Sequence, residues 1–188
     1  MNQADIIFKL KSGDVTMFKV VVATWQEKVY NTAISIVQNE EDAEDITQEI
    51  FVTLYERIND FREESALSTW IYRITVTKSL DHEKRKKREK HGGLLRKIFL
   101  VKEEDEPVNF DHPGILLDNK EKAAVLFKAL KKLPEKQRIA FTLHKIEGLS
   151  YQEIAAVMNT TLFAVESLQG RAKNNLKSIL EKYYKENL

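Results

Sequence analysis

The sequence predicts an all-α chain built as two small helical domains joined by an acidic linker. Glycine and proline are scarce, with 6 and 3 copies in 188 residues, so few positions interrupt a helix. Apolar residues recur at three- and four-residue spacing, and no alternating run is long enough for a half-buried strand. Between His91 and Asn119 lie Gly92, Gly93, Pro107, Pro113, Gly114 and the acidic run Glu103-Glu104-Asp105-Glu106, a composition that suits a connector. The expected division is therefore a domain over residues 1–90, a linker over 91–118 and a domain over 119–188.

In the first domain, helices are expected over residues 4–11, 14–38, 40–58 and 67–89. In the third of these, Glu40, Glu41 and Asp42 crowd the first turn, where the helix dipole favours anions. Ala43, Ile46, Ile50, Leu54 and Ile58 form its buried stripe. The opposite face carries Asp45, Gln48, Glu49, Thr53 and Arg57, which on its residues alone reads as a solvated surface. A polar loop from Phe61 then leads, through Ser68 or Thr69 as cap, into a helix bearing Trp70 and Tyr72 and ending in Lys84-Arg85-Lys86-Lys87-Arg88. Taken singly, the aromatic residues are core residues and the basic run a solubilising helix end. Their order suits a surface for single-stranded nucleic acid, where rings stack on unpaired bases and cations hold the phosphate backbone.

In the second domain, helices are expected over 119–132, 134–146, 150–158 and 161–184, with Pro134 at a first turn, where its missing N–H costs nothing. The last two helices are the most informative. Ser150 and Glu153 stand in capping-box spacing. Ile154, Ala155 and Met158 form an inward stripe, and Asn159 follows where the chain must leave the helix in a left-handed conformation. Thr160 or Thr161 can cap the second helix, whose Val165, Leu168, Ala172 and Leu176 face the first. Phe163, Glu166, Ser167, Gly170, Arg171, Lys173 and Asn174 are left on the outer face, a mixture suited to base edges and phosphates. A lone capping box before a turn is usually an ordinary helical hairpin. Here the small Ala155, the Asn turn and the second stripe coincide, which favours a helix-turn-helix that reads DNA.

Composition excludes several classes. With 43% hydrophobic and 31% charged residues the chain is globular. It has no cysteine, so neither a disulfide framework nor a thiolate metal site is possible. The first residues lack the basic start and apolar core of a secretory signal, and the longest apolar stretch, around Val20 to Trp25, is far short of the roughly 20 residues that span a bilayer. A cytoplasmic protein without membrane insertion is expected. His82, His91, His112 and His144 are scattered and no nucleophile–base pair is visible, so no catalytic residue, metal or cofactor is expected.

The net charge of +1 hides a strong segregation. Residues 1–77 hold 7 basic and 13 acidic side chains, residues 78–102 hold 10 and 3, residues 103–121 hold 1 and 7, and residues 122–188 hold 12 and 6. Two basic blocks that attract phosphate are thus separated by an acidic one that repels it.

Three stretches in order resemble a known family. Ala43-Glu44-Asp45-Ile46-Thr47-Gln48-Glu49-Ile50-Phe51, then Trp70-Ile71-Tyr72-Arg73-Ile74, then Leu133-Pro134-Glu135-Lys136-Gln137-Arg138 with Gly148 through Leu176, are similar to the small two-domain sigma factors of bacterial RNA polymerase, the extracytoplasmic-function group of the sigma-70 family. The likeness covers nearly all of the chain. It implies that Asp45, Gln48, Glu49, Thr53 and Arg57 dock on the clamp helices of the polymerase β′ subunit, and that the C-terminal domain meets the β flap. It implies that Phe61, Arg62, Ser65, Ser68, Trp70, Arg73, Thr77, Lys84 and Arg85 melt and capture the minus-ten element. It implies that Phe163, Glu166, Ser167, Gly170, Arg171 and Lys173 read the minus-thirty-five duplex, and that an anti-sigma factor controls the chain. Such factors usually carry Asn where this chain has Thr77, and often carry basic residues where it has Glu166 and Leu168, so base preference does not carry over.

Two other readings compete. A helix-turn-helix regulator could act without polymerase, and the apolar, basic-flanked stretch from Gly92 to Lys102, with Leu94, Leu95, Ile98, Phe99 and Leu100, could lie on a membrane surface.

Overall fold

The computed structural model describes residues 2–94 and 120–187, which form eight α-helices and no strand. These are α1 (Gln3–Lys11), α2 (Val15–Val37), α3 (Glu40–Arg57), α4 (Leu67–Leu94), α5 (Lys120–Lys131), α6 (Glu135–Lys145), α7 (Tyr151–Val157) and α8 (Leu162–Asn187). A single 3-10 turn, Ile58–Asp60, extends α3. Starts are set by short polar side chains: Asn2, Asp14 and Asn39 each accept from the backbone N–H three residues on, at 2.8, 2.9 and 2.8 Å. Caps of this kind contribute about 1 kcal/mol each. α2 stops at Gln38, which adopts the left-handed conformation at φ 57°.

Two helices run further than the sequence predicts. α4 reaches Leu94 instead of 89 and α8 reaches Asn187 instead of 184. Both extensions follow runs rich in Lys, Arg and Glu, good helix formers that outweigh the local cost of Gly92 and Gly93. The acidic run Glu103–Glu106 and the apolar Leu95, Ile98, Phe99 and Leu100 lie outside the described residues.

The N-terminal lobe is α2, α3 and α4 packed together with α1 across one end. The expected stripe is buried throughout, Ala43, Ile46, Ile50 and Leu54 on α3 and Ile58 in the 3-10 turn, and Phe51, which the spacing did not single out, joins them. Along α2 the run Val29 to Val37 is buried without a gap. A helix buried on every side needs neighbours on every side. α3 and α4 supply part of the cover, and α6 and α5 of the C-terminal lobe also pack against α2. The core is therefore continuous across both lobes. No described helix is long and apolar enough to cross a membrane.

Candidate nucleic-acid interface

In the C-terminal lobe the turn is built as the sequence predicts. The Ser150 N–H donates to the Glu153 carboxylate at 2.8 Å while the Glu153 N–H donates to the Ser150 hydroxyl at 3.3 Å, closing the capping box. The Ser150 bonds hold the Glu153 carboxyl below the usual carboxylate range. Asn159 sits at φ 49°, and Thr161 caps α8, accepting from the Ala164 N–H at 3.2 Å. Val165, Ala172 and Leu176 are buried against the lobe, as is Val157, which the stripe on α7 missed.

Gln169 is a second miss. It is 7% exposed and donates to the Ala140 carbonyl at 2.7 Å, bolting α8 to α6, while Leu168 is only partly buried. Position 169 lies four residues after Val165, so helical spacing alone pointed inward; its polarity disguised it. Asn175 adds a second bolt, donating to Gln137 at 2.8 Å.

The outer face of α8 is free. Glu166, Gly170, Arg171, Lys173 and Asn174 are exposed, Ser167 is half-buried, and Phe163 is 79% exposed at the first turn. Nothing lies within 4 Å of where a Cβ on Gly170 would stand, so no packing within the described chain demands a glycine there.

In the N-terminal lobe the loop after Phe61 forms an open cleft of about 270 Å³ lined by Phe61, Arg62, Ser65, Trp70 and Arg73 together with Asp60 and Glu64. The loop is pinned from α1: Lys11 pairs with Glu63 at 2.8 Å, and Gln3 accepts from the Leu67 N–H at 3.3 Å. Glu63 holds the left-handed conformation at φ 61°, a strain that costs on the order of 1 kcal/mol and persists where the surroundings over-determine it. Phe61 does not offer a ring face to a ligand. It is 4% exposed and packs on Trp70 with ring centroids 5.1 Å apart, because the turn folds it into the core; it shapes the wall beside the half-buried Trp70.

The remaining expected residues are dispersed. Ser68 falls in a different cleft, between the lobes; Thr77 is exposed further along α4. Lys84 pairs with Asp81 at 3.6 Å, and Arg85 lies 3.1 Å from the His82 ring nitrogen. Lys86 and His82 both grip Asp42 at the start of α3, so part of the basic run serves the fold.

On α3, Asp45, Gln48, Glu49 and Thr53 line a shallow groove of about 470 Å³ with Val52, Glu56 and Lys78. Lys78 crosses from α4 to Glu49 at 3.4 Å. Arg57 stands outside this groove, bonded to Asp60 at 3.1 Å.

A helix-turn-helix with a free outer face, coupled to a helical lobe whose cleft holds an aromatic ring and two arginines, defines a DNA-binding transcription protein. The chain matches sigma-70 region 2 over residues 21–89 and sigma-70 region 4 over residues 123–176. It is 28% identical to the RNA polymerase sigma-H factor of Pseudomonas aeruginosa over 96% of this chain and 95% of that one. It is 30% identical to the ECF RNA polymerase sigma-E factor of Escherichia coli K12 over 89% of this chain and 88% of that one. The chain belongs to the sigma-70 family, in its extracytoplasmic-function group, and is an RNA polymerase sigma factor. Its fold is shared with CnrH, solved with the cytosolic domain of CnrY, at TM-score 0.71 and 24% identity, over 96% of this chain and 97% of that one. It is shared too with RpoE of Bartonella quintana, solved with the anti-sigma factor NepR, at TM-score 0.69 and 24% identity, over 89% and 98%.

Proposed function

We propose that residues 1–90 dock on core polymerase and capture the melted minus-ten strand, that residues 119–188 read the minus-thirty-five duplex, and that the segment over 91–118 connects them. The observation that carries the reading is the cleft that gathers the Trp70 ring, Arg62, Arg73 and Ser65 beside the carboxylates of Asp60 and Glu64, in the same lobe as the acid-bearing groove of α3. Such a cleft suits an unpaired base held by stacking with its phosphate neutralised alongside. The groove of Asp45, Gln48, Glu49 and Thr53 is the surface for the β′ clamp helices, and the outer face of α8 is the reader of base edges. The work is done in the cytoplasm, where polymerase and promoter are, and the partner chains of CnrH and RpoE support an anti-sigma partner for this chain as well.

The test combines the purified chain with core RNA polymerase and sequences the transcript starts. Specific starts are expected, and Asp45→Ala with Gln48→Ala should weaken core binding with helicity unchanged. Unaltered affinity in the double variant would reject the docking groove, and absence of specific starts would favour a regulator that acts without polymerase.

A further inference from the structure

One charge on α8 is out of keeping with the rest of its outer face. From Leu162 to Leu180 the charged residues are Glu166, Arg171, Lys173 and Lys177, so a single carboxylate stands among cations. Glu166 is exposed and forms no ion pair among the described residues. Its helical neighbours three and four positions away, Leu162, Phe163, Gln169 and Gly170, are uncharged, so no pairing along the helix is open to it. It stands beyond the first turn, where the helix dipole favours an anion, and the cap at that end is made by Thr161. Neither the packing of the lobe nor the helix end accounts for a carboxylate at this place.

Gly170 follows one turn later, also exposed. Glycine inside a helix weakens it relative to alanine. Beyond its own helix backbone, nothing lies within 4 Å of where a Cβ on Gly170 would stand, so the chain itself gains nothing from the missing side chain. The feature makes sense against a surface that approaches from outside.

A helix seated in the major groove lies between two rows of phosphates, which repel an unpaired carboxylate. The base edges offer it a donor in two places, the N4 amine of cytosine and the N6 amine of adenine. The two are not equivalent. Adenine sets its N7 acceptor beside the amine, where it faces the second carboxylate oxygen lone pair to lone pair. Cytosine sets a C–H there instead. A carboxylate is also carried on a shorter stem than a guanidinium, so it reaches a base edge where the helix backbone comes close.

We propose that Glu166 selects a cytosine in the upstream duplex by accepting from its N4 amine, and that the bare backbone at Gly170 lets α8 sit deep enough for the contact. This rests on the reading of α8 as the duplex reader. Arg171, Lys173 and Lys177 then supply the positive charge that offsets the cost of bringing a carboxylate between phosphates.

The test is transcription by core RNA polymerase with the full chain from a library of randomised upstream elements. The parent should favour cytosine at one position by roughly 5- to 150-fold over the other bases. Glu166→Gln keeps the size of the side chain and adds a donor, which suits the N6 and N7 pair of adenine; preference at that position alone should move from cytosine to adenine. Gly170→Ala should leave the thermal midpoint equal to or above the parent's, yet lower affinity for the preferred element several-fold, a combination that a folding defect does not produce. Arg171→Ala separates the two levels of the reading. If it relaxes one position while Glu166→Gln keeps the parent's preference everywhere, α8 reads the duplex and the selection by Glu166 is overturned. If neither variant alters preference, the reading of α8 falls with it. A Glu166→Gln variant that tightens all sequences alike would show a carboxylate that merely repels phosphate, and a Gly170→Ala variant that binds as the parent does would overturn the close approach.

Discussion

The α7–α8 pair and the α3–α4 pair both carry surfaces proposed above to bind, yet they are assembled by opposite means. The angle between α7 and α8 is set by neighbours in sequence: the Ser150–Glu153 box, the left-handed Asn159 and the Thr161 cap lie within 12 residues. α3 and α4 are joined by pairs far apart in the chain, Glu49 with Lys78 and Asp42 with His82 and Lys86, over the filled stripe of α3. A locally coded device fails piece by piece, whereas a surface laid over a shared core fails with that core.

The sharpest break comes from Leu54, fully buried in α3 and far from any exposed chemistry. Leu54→Ala should lower stability by about 2–5 kcal/mol in denaturant unfolding and weaken core-polymerase binding with it, although no groove residue has changed. A stability loss without a binding loss would mean that the groove of α3 does not depend on its core.

Next in size is the outer face of α8. Arg171→Ala should cost about 1–3 kcal/mol of promoter affinity and relax preference at one upstream position, while Lys173→Ala should weaken all sequences alike and reduce the salt slope by about one unit. Transcription from a library of randomised upstream elements at two salt concentrations separates the two. Equal loss of sequence preference in both variants would erase the distinction between reading and holding.

The smallest effect should come from the cap. Ser150→Ala removes one half of the capping box and should cost about 1 kcal/mol in stability, with weaker duplex binding and unaltered capture of a single-stranded minus-ten oligonucleotide. If the single-strand capture fell equally, the local character of the α7–α8 pair would be wrong.

The same contrast governs what the sequence disclosed. Capping box, Asn159, the α3 stripe and the free face of α8 were readable because each depends on residues within a few turns of one another. The fates of Phe61 and Ser68 were not, since whether a ring or hydroxyl faces a cleft or the core depends on a partner helix. Arg138 is the extreme case. It reads as a surface cation but is 7% exposed, its guanidinium pushed below its ordinary value by burial, with Glu83 of α4 and Glu135 opposing the shift. No periodicity in α6 announces that neighbour.

Phe163 carries one more consequence. A ring 79% exposed in the free chain leaves a large apolar face against solvent. When α8 enters a major groove, as proposed above, that face is dehydrated against base edges, where the thymine methyl is its apolar counterpart. Burial of apolar surface lowers heat capacity. Duplex recognition by this chain should thus have an enthalpy that grows more negative on warming, a calorimetric signature that phosphate neutralisation, driven by the release of counterions, does not supply.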